Sequence, residues 1–237
     1  MTRTNLNRFG TLIAFVLLCI GFSIAAPAAF ASPANVFNLV QQMATLAIVA
    51  TAATLVMTIS EFDLSVGFSA SLAAVICFVL FGQGYDVWLA VPAALLVGIV
   101  GGAANGVLVA RFGIPSFVAT LALGTILSGF AFGLSGGQSL FQSVPDGFKS
   151  LARGDVFGIP VLGFWIVAVL GIAAFVLTQT EFGRRLRAIG GNAQAARLAG
   201  LPIVRDVIVT FAIAGGLSAL AGLLLASRLG SVQHTMG

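Results

Sequence analysis

The segment Glu61-Phe62-Asp63-Leu64-Ser65-Val66-Gly67 sets two carboxylates and a hydroxyl between two apolar runs with no true loop to separate them. Charged groups at that depth are expensive unless they reach the interface, a cavity or a partner. Gly67, with no Cβ, permits a break in helical backbone. Two readings stay open: an interfacial turn in which Asp63 or Ser65 caps the next helix, or a discontinuous helix that lines a translocation path or gate. Glu61, Asp63, Ser65 and Gly67 are the candidates for that path. Asn105 joins them, because a polar side chain inside another apolar run must either bond across a helix contact or line a wet passage.

The second chemically distinctive stretch is FGRRLRAIGGNAQAARLAGLPIVR at 182–205, the one long Arg-rich polar segment of the chain. It lies between two spans long enough to cross a bilayer and reads as a cytoplasmic docking loop over 179–206. Arg184, Arg185, Arg187, Arg197 and Arg205 mark that side, because Lys/Arg-rich loops stay where translocation is disfavoured. Asn192 suits an N-cap, Ala193, Gln194, Ala195, Ala196, Arg197, Leu198 and Ala199 continue as a helix, Gly200 suits the C′ position, and Pro202 stops it. A helix of about eight residues is only ~12 Å long and does not persist alone, so it requires tertiary packing and a partner. The small residues Ala195, Ala196, Ala199 and Gly200 would allow close approach of that partner.

Other chemistry is excluded by residue type. The single lysine, Lys149, follows Phe148, so no G-x-x-x-x-G-K-[ST] phosphate cradle exists here. Gly67-Phe68-Ser69-Ala70-Ser71 lacks the second glycine of a G-x-S-x-G nucleophile, and the sole histidine, His234, reads as a loop residue rather than a base. No His, Cys, Asp or Glu cluster has metal-ligand spacing. Cys19 and Cys77 lie in apolar runs, where packing is the expected role.

The elements that must position these residues are membrane helices. With 59% hydrophobic and 8% charged residues among 237, and a mean hydropathy of +1.11, the chain has too little polar surface to cover a soluble globule. The expected fold is all-α, a polytopic transmembrane helix bundle in a single domain, 1–237. Apolar runs near the ~20 residues that cross a bilayer predict about seven spans, at 10–29, 43–60, 68–82, 87–110, 114–135, 160–178 and 207–227. An N-terminus inside places Arg3, Arg8, Arg111 and the five loop arginines in the cytoplasm, against Lys149, Arg153 and Arg228 outside. The first span has a rival reading as a cleaved signal peptide with a small-x-small site at Ala29-Phe30-Ala31.

Gly98, Gly102 and Gly106 recur at steps of four and put small residues on one helix face, a packing surface for another helix. Ala212, Gly216 and Ala219 make a weaker small face in the last span. The outer segment 136–159 reads as turns with a short surface helix, either a connection or a contact for an external partner.

These residues carry a resemblance. Asp63-Leu64-Ser65-Val66-Gly67, then Gly183-Arg184, Ala188-Ile189-Gly190-Gly191-Asn192, Ala195-Ala196-Arg197-Leu198 and Ala199-Gly200, resemble the permease subunits of ABC importers for ribose and related simple sugars, a branch of the branched-chain amino acid permease superfamily. Asn35-Val36-Phe37-Asn38-Leu39 and 214–222 fit as well, in order and spacing over nearly the whole chain. The resemblance implies a homodimeric channel in the bacterial inner membrane, without catalytic residues or a cofactor of its own. ATP and Mg would sit on a cytoplasmic ABC ATPase, and an extracytoplasmic sugar-binding protein would deliver the cargo. The helix from Asn192 to Gly200 would be the coupling helix seated in the ATPase.

The chain departs from the pattern in places. Glu61 stands where many relatives have Gly, and Gln194 where they often have Glu. The family implies roughly ten spans, about three more than are read here, so the chain is expected to be a truncated or partial product. A secondary transporter exchanging protons or ions through Glu61 and Asp63, and an inactive permease fragment, are the competing expectations.

Overall fold

A computed structural model describes residues 3–141 and 144–237, with the backbone alone for 3–8 and 11. The side chains of Arg3 and Arg8, used above to orient the chain, lie outside the described residues, as do residues 142 and 143 of the outer segment. The chain forms two compact units, Met1–Gln42 and Met43–Gly237.

In the first unit α1 (Arg3–Ala25) ends where Pro27 forbids its continuation, and α2 (Pro27–Phe30) is a single turn. Phe22 and Phe30 stack across the break, 5.5 Å between ring centroids. Ser32 Oγ then accepts from the Asn35 backbone N–H and opens α3 (Pro33–Thr58). The apolar run read from Met43 onward is therefore the second half of a longer helix.

The second unit continues with α4 (Val66–Gly82), α5 (Val87–Ala110), α6 (Ser116–Ser135), the short α7 (Asp146–Lys149), a two-stranded hairpin of β1 (Asp155–Val156) and β2 (Ile159–Pro160), α8 (Val161–Gln179), α9 (Glu181–Gly191), α10 (Ala193–Leu198) and α11 (Ile203–Leu229). Among the described residues five helices, α3, α5, α6, α8 and α11, are long and apolar enough to cross a membrane; two shorter apolar helices are Leu12–Ala25 and Val66–Gly82. The fold is an all-α polytopic bundle.

The central element is α11: 61% of its most apolar stretch is buried, whereas none of the other four exceeds 28%. Its small residues explain why. A Cβ added at Gly98 of α5 would stand 2.6 Å from the Gly215 carbonyl oxygen, one at Gly102 would run into the carbonyl of Phe211, and one at Gly106 would reach 2.6 Å from Cα of Ile208. Only backbones without side chains can approach so closely, and dispersion between them replaces a hydrophobic drive that lipid does not provide. On α11 these contacts fall at Ile208, Phe211, Gly215 and Ala219; of the small face expected from sequence, Ala219 lies against Gly98 and Gly216 against the Ile99 side chain of the same α5. Gly222 meets the backbone of Ala70 and so admits α4 to the same helix.

One end of the bundle is closed by α7, whose Phe148 is fully buried edge-on to Phe78 and Phe81, with centroids 6.1 and 5.1 Å apart. Ser227 Oγ donates to the Phe148 carbonyl at 2.7 Å, and Leu140 pairs with Val232. The part of segment 136–159 that holds Val144, Phe148 and Ala152 is thus packed into the core. The opposite end carries α9 and α10. On the flanks, α8 is the least buried of the five spans, with Val167 at 73% exposure.

Candidate functional site

The break between α3 and α4 is built by hydrogen bonds. Helix α3 closes with Ser60 in the left-handed region at φ 60, the Ser60 N–H on the Met57 carbonyl at 2.9 Å and the Glu61 N–H on that of Val56 at 3.3 Å. This is a Schellman closure with serine where glycine is usual. Ser60 Oγ holds that conformation by donating to the Gly190 carbonyl of α9 at 2.9 Å. Residues 61–65 are outside any helix and run along the start of α6, with the Phe62 N–H on Ser116 Oγ and the Leu64 N–H on Thr120 Oγ1, both 3.1 Å. Two backbone donors that no helix satisfies are thereby satisfied by side chains, as a non-helical segment at membrane depth requires.

Ser65 occupies the N-cap position of α4, yet neither it nor Asp63 caps that helix through a side chain. The expectation of a capping turn is corrected in this respect. Asp63 Oδ1 instead accepts from both the Ser65 N–H, at 2.8 Å, and the Ser65 hydroxyl, at 2.6 Å. The same hydroxyl accepts from Asn105 Nδ2 of α5 at 2.8 Å. Asp63, Ser65 and Asn105 therefore form one network across 42 residues of sequence, with Asn105 and Ser65 buried. Glu61 is brought to the mouth of this break but makes no side-chain bond within it. Gly67, the second residue of α4, faces the backbone of Gly237, where a Cβ would come within 2.8 Å of its carbonyl carbon.

At the α9–α10 end, Asn192 adopts an extended backbone and its Oδ1 accepts from the Ala195 N–H at 2.9 Å, an N-cap that satisfies a first-turn donor. The helix is closed by Gly200 at φ 78, with the Gly200 N–H on Arg197 O at 3.0 Å and the Leu201 N–H on Ala196 O at 3.1 Å. Between these caps only Ala196 is buried; it packs with Ala52, Val56, Leu186 and Ile189. Ala196 faces the bundle and not outward, which corrects its place among the small residues offered to a partner. Ala193, Gln194, Ala195, Arg197, Leu198 and Ala199 are exposed, Leu198 by 85%. A groove of about 680 Å³ runs beside them, lined by Arg197, Leu201, Pro202, Val204, Arg205 and Ile208 among others.

One residue missed in the sequence completes this end. Asp206, 1% exposed in the first turn of α11, receives Arg185 Nε at 2.6 Å and Nη2 at 3.3 Å; Arg185 Nη1 also donates to Glu181 at 2.7 Å. These carboxylates, Asp206 first, push the Arg185 pKa above its ordinary value. Arg187 donates to the Leu177 carbonyl at the end of α8. Ser69, buried one turn beyond Ser65, is the other omission; its run of small residues read as a failed nucleophile motif rather than as a polar face.

A family model described as the branched-chain amino acid transport system permease component matches residues 35–237. The chain belongs to this family. The ribose import permease of Haemophilus influenzae is 36% identical over 95% of the chain and 70% of its own length. The ribose import permease of Bacillus subtilis is 35% identical over 98% and 72%, and an L-arabinose ABC transporter permease of Azospirillum brasilense 33% over 98% and 68%. No solved structure matches the chain. The permease thus spans roughly 70% of these relatives, and its matched region includes the Asp63 network, the glycine contact of α5 with α11, and the capped α10. No group of three or more His, Cys, Asp or Glu that could hold a metal occurs among the described residues.

Proposed function

We propose that the chain is the membrane-spanning subunit of an ATP-driven importer that carries a ribose-like monosaccharide across the bacterial inner membrane, with its N-terminus in the cytoplasm. The observation that carries the reading is α10: six residues, capped at both ends, anchored by Ala196 and presenting Leu198 at 85% exposure. A helix of ~9 Å is not stable alone, and an exposed leucine beside Arg197 and Arg205 is poorly placed against water. Both features suit a cleft on a cytoplasmic ABC ATPase, where ATP and Mg would bind. The named relatives, permeases for ribose and L-arabinose, support a sugar cargo and a secreted binding protein that delivers it. A second copy of the permease would complete the channel, with Asp63, Ser65, Gly67 and Asn105 on the path and Glu61 at its gate.

The test is uptake of labelled ribose into proteoliposomes holding the chain, its ATPase and its binding protein. ATP-dependent accumulation that survives an uncoupler is expected. Accumulation abolished by the uncoupler while ATP persists would overturn the reading in favour of ion coupling through Glu61 and Asp63.

A further inference from the structure

The hydrogen bonds of the α3–α4 break leave a remainder. The Ser65 hydroxyl gives its proton to Asp63 Oδ1 and receives one from Asn105, so it is satisfied. Asp63 Oδ2, Ser69 Oγ and Asn105 Oδ1 are buried atoms that find no partner in the protein. Asn105 is 0% and Ser69 3% exposed, so bulk water does not serve them. Buried polar atoms are nearly always paired, and three orphans, two within the network and one a turn beyond Ser65 on α4, call for an outside partner.

The orphans define that partner's chemistry. A carboxylate oxygen and an amide carbonyl accept hydrogen bonds only, while a hydroxyl both accepts and donates. Such a set takes a ligand bearing several O–H donors and little charge. A resident divalent cation fits poorly, since Asp63 is the single carboxylate in the network. An isolated nucleophile is equally ill-served, because no base lies beside Ser69.

On the reading that the permease conducts a sugar, we infer that Asp63 Oδ2, Ser69 Oγ and Asn105 Oδ1 form a hydroxyl-accepting subsite for a neutral polyol inside the membrane. The permease then reads its cargo itself and is not merely a passive path behind the binding protein.

The reconstituted complex tests this with Ser69→Ala and Asp63→Asn. Uptake of ribose is compared with that of its mono-deoxy analogues, at concentrations that saturate the binding protein. Wild type is expected to favour ribose, and each variant to shrink that preference by about three- to tenfold, the value of one lost hydrogen bond. Ser69→Ala should also leave the thermal unfolding midpoint equal or higher, since it removes an orphan and no bond; a merely structural serine would not alter the sugar preference. A preference unchanged in both variants, with wild-type uptake intact, would overturn the subsite and leave the transport reading standing. Absence of any sugar uptake by the wild-type complex would overturn the transport reading, and the subsite with it.

Discussion

Arg185 and Asp206 are joined by two hydrogen bonds, Nε to Oδ2 at 2.6 Å and Nη2 to Oδ1 at 3.3 Å, so the guanidinium fork of α9 grips the first turn of α11. A two-point grip of this kind fixes orientation as well as distance. The same α11 lies backbone to backbone against α5 at Gly98 and Gly102. Helix α5 also carries Asn105, which bonds Ser65 in the α3–α4 break.

Removing the buried partner should loosen that end. Asp206→Ala strands Arg185 and is expected to lower the unfolding midpoint in detergent more than Asp206→Asn, which keeps an acceptor but loses the charge. Equal midpoints for wild type and Asp206→Ala would mean that α9 is held by its other contacts, Leu186 and Ile189 in the core and the bonds to Ser60 and Leu177.

The α5–α11 contact predicts a sharp contrast between glycines. Gly102→Ala places a methyl into the Phe211 carbonyl, so a helix must move, at a cost of about 1–3 kcal/mol. Gly133→Ala, in α6, meets nothing within 4 Å and should be neutral or slightly stabilising. Folded yield and thermal midpoint of the two variants, measured side by side, check the assignment; equal behaviour would refute the close crossing.

How far the sequence disclosed these relationships depended on the kind of signal. The bounds 87–110 coincide with α5 because Asp86 caps one end and Arg111-Phe112-Gly113 punctuates the other. The start of α3 was hidden, since Asn35, Asn38, Gln41 and Gln42 dilute the apolar run without breaking the helix. Asp63, Ser65 and Asn105 were each legible as polar groups at depth, but their meeting was not, because spacing along a chain does not tell which turn of one helix faces another. Asp206 escaped for a different reason: a charge at the start of a span resembles a boundary, and burial converts it into an anchor. Ala196 looked equivalent to Ala195 and Ala199 by type, and only the direction of the helix face separates them.

That direction yields a paired test of the docking surface. Leu198→Glu alters a side chain that touches solvent, so the fold should persist while co-purification with the ATPase falls. Ala196→Glu forces a carboxylate among Ala52, Val56 and Ile189 and should reduce the amount of folded permease itself. Retention of the ATPase by Leu198→Glu would remove α10 from the interface.

The caps of α10 supply the last test. Asn192 Oδ1 satisfies the Ala195 N–H, and Asn192→Ala is expected to cost about 1 kcal/mol of local helix stability. Gly200 stands at φ 78, where Ala or any larger L-residue is strained, so Gly200→Ala should cost a similar amount, about 1 kcal/mol. Six residues hold few internal hydrogen bonds, so losing either cap weakens a large share of what orders the helix, and losing both should let it fray while α9 stays fixed by Arg185. Hydrogen exchange reads this directly. Amides of 195–201 should exchange faster in each single variant and fastest in the double, with 186–190 unchanged, whereas uniform protection across all three would show that Ala196 and Leu201 alone order α10.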